Sequence, residues 1–134
     1  MVSEKTGCVV LADRHQNVLE GIRGLLEAVF ETVMMVADKK SLFEAIEKVK
    51  PDLAVVDLSL TAAGEVSIAR EINNSYPALR FIILSVHDEP TVVDEVMSAG
   101  ASGFVLKRSV ALDLFEAVRN VQEGRTFVSD SGRN

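Results

Sequence analysis

Two kinds of segment alternate along the chain: short apolar runs rich in β-branched residues, and longer stretches whose apolar residues recur at helical spacing. Runs at 8–12, 33–37, 53–56, 81–84 and 103–106 predict strands. Most are continuously apolar rather than alternating, which fits strands covered on both faces. Between them, Val18, Ile22, Leu25, Leu26 and Val29 share one face of a first predicted helix, which Gly21 and Gly24 weaken. Ser41 and Glu44 form a capping-box pattern for a second, carrying Phe43, Ile46 and Val49, and Pro51 stops it. Val66, Ala69 and Ile72 mark a third, ended by Asn73, Asn74 and Pro77. Pro90 suits the first turn of a fourth, whose Val92, Val93, Val96 and Met97 form the buried stripe while Asp94, Glu95 and Ser98 face outward. Gly100 closes that helix, and Ser109 is placed to cap a fifth that carries Leu114, Phe115, Val118 and Val121 up to Gly124.

Five strands, each followed by a helix, predict a doubly wound α/β fold with a parallel sheet. Right-handed crossovers leave few topologies for such a (βα)₅ chain, and the commonest is the flavodoxin-like order 2-1-3-4-5. No repeat or internal boundary interrupts the pattern, so residues 1–124 read as one domain and 125–134 as a polar tail or the start of a linker. In a sheet of this kind function gathers outside the carboxyl ends of the strands.

Composition narrows the partners. The chain has 134 residues, 48% hydrophobic and 25% charged, as a soluble globular domain has. Fourteen Lys and Arg against twenty Asp and Glu leave a net charge of −6, which disfavours a nucleic acid or an anionic membrane as the direct partner. The apolar runs are strand-sized, far short of the roughly 20 residues of a membrane span. The segment from Met1 to Gly7 is polar and mixed in charge, unlike a signal peptide. Cys8 has no second cysteine to pair with, and with only His15 and His87 beside it a zinc site lacks ligands. The expected compartment is the cytoplasm.

The predicted strand ends carry the chemistry. Asp13, Arg14 and His15 follow the first strand, Asp57, Leu58 and Ser59 the third, Ser85 and His87 the fourth, and Lys107 and Arg108 the fifth. Each has a plain reading: Asp13 as a helix cap, Asp57 as a turn acid, Ser85 as a backbone-bonded hydroxyl, Lys107 as a solvated lysine, His15 and His87 as exposed loop residues. Cys8, Met34, Met35 and Phe104 read as core. Two carboxylates, a hydroxyl and an ammonium on one edge are nonetheless what handling a phosphoryl group requires: a carboxylate nucleophile, hydrogen-bond donors and a fixed cation. A glycine-rich phosphate loop is absent, since Gly21 and Gly24 fall inside a helix.

Over residues 8–124 the chain resembles the receiver domain of bacterial two-component response regulators. The resemblance rests on Pro51-Asp52-Leu53-Ala54-Val55-Val56-Asp57-Leu58, on Ile83-Leu84-Ser85, and on Ala99-Gly100-Ala101-Ser102-Gly103-Phe104-Val105-Leu106-Lys107. The opening Ala12-Asp13-Arg14-His15 and the Gly-Phe-Val-Leu-Lys run resemble the NarL/FixJ class, in which a DNA-binding domain usually follows. The resemblance implies Asp57 as phosphoryl acceptor, Ser85 as the hydroxyl that follows the group, Lys107 as its cation and Phe104 as the aromatic switch. It also implies Ser59 and His87 as residues that tune phosphate lifetime, and Mg²⁺ held by Asp13, Asp57 and the backbone carbonyl of Ser59. The implied partner is a sensor histidine kinase, with a homodimer open as well, and DNA is reached only through an output domain outside this chain.

Two positions depart from the family. Arg14 stands where a second acid ligates Mg²⁺, and an arginine offers no acceptor. Thr61 stands where the family has proline. Arg14 is either a harmless surface residue, or its guanidinium fills the metal's space and bonds Asp57 or Asp13. The expectations are therefore a phosphorylation switch or, as the alternative, a pseudo-receiver serving interaction or dimerisation without phosphorylation. A small hydrolase using Asp13 and Asp57 is the weakest reading, for no lid insertion is visible. Phe104 is expected between the site and solvent, behind an output face formed by the fourth helix, fifth strand and fifth helix.

Overall fold

A computed structural model of the chain describes residues 5, 7–14 and 20–130. Six parallel strands form one sheet: β1 (Cys8–Asp13), β2 (Thr32–Val36), β3 (Leu53–Asp57), β4 (Arg80–Ser85), β5 (Gly103–Leu106) and β6 (Phe127–Val128). Their order is β2-β1-β3-β4-β5-β6, so the flavodoxin-like 2-1-3-4-5 arrangement is present with a sixth strand added at its edge. The helices are α1 (Glu20–Glu27), α2 (Lys39–Val49), α3 (Ala62–Ser75), α4 (Pro90–Ser98) and α5 (Val110–Gln122), with a 3₁₀ turn at Lys107–Ser109.

The continuous apolar runs become strands because successive side chains enter two separate cores. Val10, Ala12, Ala54, Val56 and Ile83 pack with α2, α3 and α4. Val9, Leu11, Leu53, Val55 and Ile82 pack with α1 and α5. Each fully buried Val, Leu or Ile contributes roughly 1.5–3 kcal/mol, which outweighs the weak helix propensity of the glycine-bearing α1. Phe30, just beyond α1, adds a fully buried aromatic ring to the second core.

Local chemistry sets the boundaries, in places against expectation. Asp38, not Ser41, caps α2: its side chain accepts from the Ser41 N–H at 2.7 Å, so Ser41 lies one turn inside and Glu44 faces solvent. Lys50 ends α2 in the left-handed region at φ 52, directly before Pro51. Thr61 is the N-cap of α3 and accepts from Gly64 N–H at 3.0 Å. That helix runs through Asn73 and Asn74 to Ser75, past the expected stop, because Ile72 is still buried in the first core. Gly100 follows α4 at φ +119, where a Cβ would come within 2.3 Å of the Asn73 side chain, so only glycine fits.

Three more expectations need correction. Phe115 is exposed, since the buried stripe of α5 is Leu114, Ala117, Val118 and Val121 and position 115 turns outward. Ser109 is the N-cap of α5 but its side chain makes no capping bond. Residues 127–129 are not a loose polar segment: β6 pairs with β5, and Ser129 is buried with its Oγ accepting from Leu106 N–H at 3.0 Å and donating to Asp113 at 2.7 Å. Val18 and His15 lie outside the described residues, as do positions 131–134.

Candidate functional site

Four predicted site residues converge at the carboxyl edge of the sheet. Asp13 and Asp57 are the last residues of neighbouring strands and are paired in register, both buried. The 3₁₀ turn begins directly after β5, and its first residue, Lys107, brings Nζ to 2.6 Å from Asp57 Oδ2. Lys107 is thus a paired cation on a half-exposed stem rather than a solvated lysine. Ser85 ends β4 and is 1% exposed. Its Oγ accepts from the His87 N–H at 2.8 Å and donates to Glu65 Oε1 at 2.7 Å.

Glu65 was not among the residues the sequence singled out. It sits in the first turn of α3 and is 3% exposed, and burial pushes its carboxyl up to about 6. The Ser85 hydrogen bond and the charges of His87 and Lys107 work in the opposite direction, while Asp57 adds to the rise. An acid in a first helical turn ordinarily reads as a solvent-facing complement to the helix dipole. The missed signal was spacing: Glu65 lies three, four and seven residues before Ile68, Ala69 and Ile72, on the buried face.

The remaining predicted residues divide. Arg14 is exposed and makes no ion pair with Asp57, which is held by Lys107 instead. It lines a shallow cavity of about 290 Å³ together with Asp38, Lys39, Ser59 and Glu71. Ser59 is half-buried beside Gly64 in that same cavity. His87 is half-buried rather than exposed, and its buried Nε2 has no hydrogen-bond partner among the described residues. Phe104 does not lie between site and solvent: it is wholly buried in the core with Val92, Val93 and Val96 of α4. Asp94, Glu95 and Ser98 do face outward from α4.

Among the described residues no group of three or more His, Cys, Asp and Glu side chains is gathered as a metal cage. The edge offers two carboxylates in register and neighbouring backbone carbonyls. A hard, partly hydrated cation such as Mg²⁺ takes one or two carboxylates, so this donor set fits it, with nothing added by Arg14.

A doubly wound sheet here joins two aspartates, a serine and a lysine at its carboxyl edge, where sheets of this kind carry their sites. The chain belongs to the response regulator receiver domain family, whose model matches residues 9–119. Such domains are generally signalling modules rather than enzymes, generally bind Mg²⁺, and interact with histidine kinases. Among relatives, it is 33% identical over 129 residues to the transcriptional regulatory protein DegU of Brevibacillus brevis, covering 95% of this chain and 55% of that protein. A two-component response regulator of the LuxR family from Aurantimonas has a similar structure, with a TM-score of 0.81, 30% identity and coverage of 92% and 89% of the two chains. RcsB of Salmonella enterica serovar Typhimurium, bound to a promoter in the presence of the phosphomimetic BeF₃⁻, aligns at a TM-score of 0.82 with 27% identity, covering 95% of this chain and 64% of that one. The chain spans little more than half the length of the curated relatives it matches. No helix among the described residues is long and apolar enough to cross a membrane.

Proposed function

We propose that this domain is a cytoplasmic phosphorylation switch that accepts a phosphoryl group on Asp57 from a sensor histidine kinase and, through an output domain, controls transcription. The observation that carries the reading is the pairing of Asp57, buried at the end of β3, with Lys107 Nζ at 2.6 Å, beside Asp13 and within the cluster that contains Ser85. An Asp57 Oδ atom attacks phosphorus while the donor's bond to phosphorus breaks. Lys107, already paired with the carboxylate, then shares its charge with the phosphoryl oxygens. Asp13, Asp57 and the backbone carbonyl of Ser59 would hold Mg²⁺, which when bound neutralises charge on the transferring group. Arg14 supplies no ligand, so this site binds the ion more weakly than one with a further acid. Ser59 and His87 adjust how long the group persists.

The readout is the face built from α4, β5 and α5. A group adding about −1.5 to −2 charge draws Ser85 toward it, and Phe104 transmits the change to the packing of α4, whose Asp94, Glu95 and Ser98 meet the partner. A second reading, a pseudo-receiver that dimerises or docks without phosphorylation, is favoured by Arg14 alone. Incubation with Mg²⁺ and acetyl phosphate followed by intact-mass measurement separates the two. One added phosphoryl group, absent from Asp57→Asn, is expected, and an unlabelled chain at saturating donor establishes the second reading instead.

A further inference from the structure

Glu65 is a buried acid at the carboxyl edge for which the phosphorylation chemistry above has no use. Its bond to Ser85 has a definite consequence, because a serine hydroxyl has one proton to give. That proton has Glu65 Oε1 as its near acceptor at 2.7 Å, the His87 carbonyl lying farther away at 3.5 Å, while the oxygen accepts from His87 N–H at 2.8 Å. Ser85 is therefore able to donate to a group on Asp57 only by letting go of Glu65. We infer that Glu65 is a positioning residue that withholds the Ser85 proton from the phosphoryl group, so that capture of the group at Asp57 is coupled to protonation of Glu65.

The inference rests on Asp57 being the acceptor. With acetyl phosphate as donor, an Asp57 Oδ–P bond forms, the acetate oxygen–P bond breaks, and acetate leaves with the bonding electrons. Glu65 takes one proton from solvent, and the Ser85 proton swings from Glu65 Oε1 to a phosphoryl oxygen. The groups that act on Glu65 are Ser85 and His87 from the end of β4, Asp57 from β3 and Lys107 after β5. Lys107 and His87 favour its carboxylate, whereas burial and Asp57 favour its acid form. Negative charge arriving at Asp57 strengthens the second influence, so the latch is released by the event it restrains.

The test follows the initial rate of labelling by acetyl phosphate with Mg²⁺, read by intact mass, from about pH 5 to about pH 8, in the unmodified chain and in Glu65→Gln. The isosteric amide is uncharged throughout, so dividing one rate by the other removes the donor's own pH dependence. The ratio of unmodified to Glu65→Gln is expected to fall roughly tenfold between about pH 5 and about pH 7, following a carboxyl that titrates at about 6. The same fall is expected with His87→Asn in both proteins, and its disappearance there would assign the effect to His87 and overturn the inference. A constant ratio overturns the coupling while leaving Asp57 as acceptor. No labelling of either protein at any pH overturns the Asp57 reading and the coupling together. Carbon NMR of the Glu65 carboxyl supplies a readout without phosphorylation: its midpoint should move upward in Ser85→Ala, which removes a bond to the charged form. An unmoved midpoint means the two side chains are not joined, and the inference fails.

Discussion

The two ends of the sheet use polar residues in opposite ways. At the amino end, two polar side chains tie separate pieces of the chain to backbone: Asp52 accepts from Cys8 N–H at 2.8 Å, and Arg80 donates to the carbonyls of Val121 and Gln122 at 3.0 and 2.9 Å. At the carboxyl end two bonds join side chain to side chain, Lys107 to Asp57 and Ser85 to Glu65, although Ser85 also accepts from the His87 N–H. A side chain bonded to backbone holds a partner that the fold keeps in place, so moving away gives up the whole bond, worth about 1 kcal/mol net and more where charge assists. A side chain bound to another can exchange partners when a new charge arrives. The amino end even closes around its bond: Gly7, at φ +78, admits Asp52 so closely that a Cβ would lie 2.3 Å from the carboxylate. One end is fastened and the other is set to rearrange.

The largest effect that would sharpen this contrast is expected from Asp57→Asn. Labelling by acetyl phosphate should fall to background while the midpoint of urea unfolding is preserved or raised, since a buried carboxylate is exchanged for a neutral amide. At the opposite end, Arg80→Ala should lower stability by about 2–3 kcal/mol through loss of charge-assisted bonds, and leave the labelling rate unchanged. If Arg80→Ala altered labelling as strongly as stability, the ends would not be separate.

Next in size is Glu65→Gln, measured by urea unfolding against pH. The folded carboxyl titrates at about 6 against an ordinary 4.5, so the folded state binds this proton more tightly than the unfolded one. The stability it contributes is complete below 4.5 and is lost as pH rises through about 6. A shift of that size makes the charged form cost about 2 kcal/mol near neutral pH. Glu65→Gln is expected to regain up to that amount at neutral pH, and its advantage should shrink to nothing in acid. The smallest effect concerns neither end. A Cβ at Gly24 in α1 would meet nothing within 4 Å, so Gly24→Ala should raise stability by up to about 1 kcal/mol without changing labelling.

Much of this was legible in the sequence because it depends on runs and spacings. The five longer strands lie within one residue of their expected ends, since each is an unbroken apolar stretch between polar neighbours. The gathering of Asp13, Asp57, Ser85 and Lys107 at one edge needed only the knowledge that each follows a parallel strand, whereas the pairing of Lys107 with Asp57 itself was not read from the sequence. What escaped depends on partners distant in the chain or on choices between near-equal local ones. Phe127–Val128 is too short to show periodicity and is a strand only because the edge of β5 is open beside it. Asp38 and Ser41 both have capping side chains, and three residues of spacing allow either to begin α2; the ionised oxygen makes the stronger bond to the amide. The spacing of Glu65 to Ile68, Ala69 and Ile72 was a readable signal of its burial, but its bond to Ser85, twenty residues away, was not, for neither residue alone announces the other. Arg14 was readable as a missing ligand, but that Lys107 rather than Arg14 pairs with Asp57 is a matter of three dimensions.

The short sixth strand has a consequence for solubility. Gly103–Leu106 is wholly buried and apolar, and without a neighbour its outer row of amides and carbonyls would be a template for pairing with another molecule. Phe127 N–H donates to Ser102 O, Ser129 N–H donates to Phe104 O, and Ser129 Oγ receives the Leu106 N–H, so three residues occupy that row over its whole length. Ser129 also anchors to Asp113 of α5, which keeps the guard from peeling off. Those few residues protect the sheet from aggregation as much as they extend it.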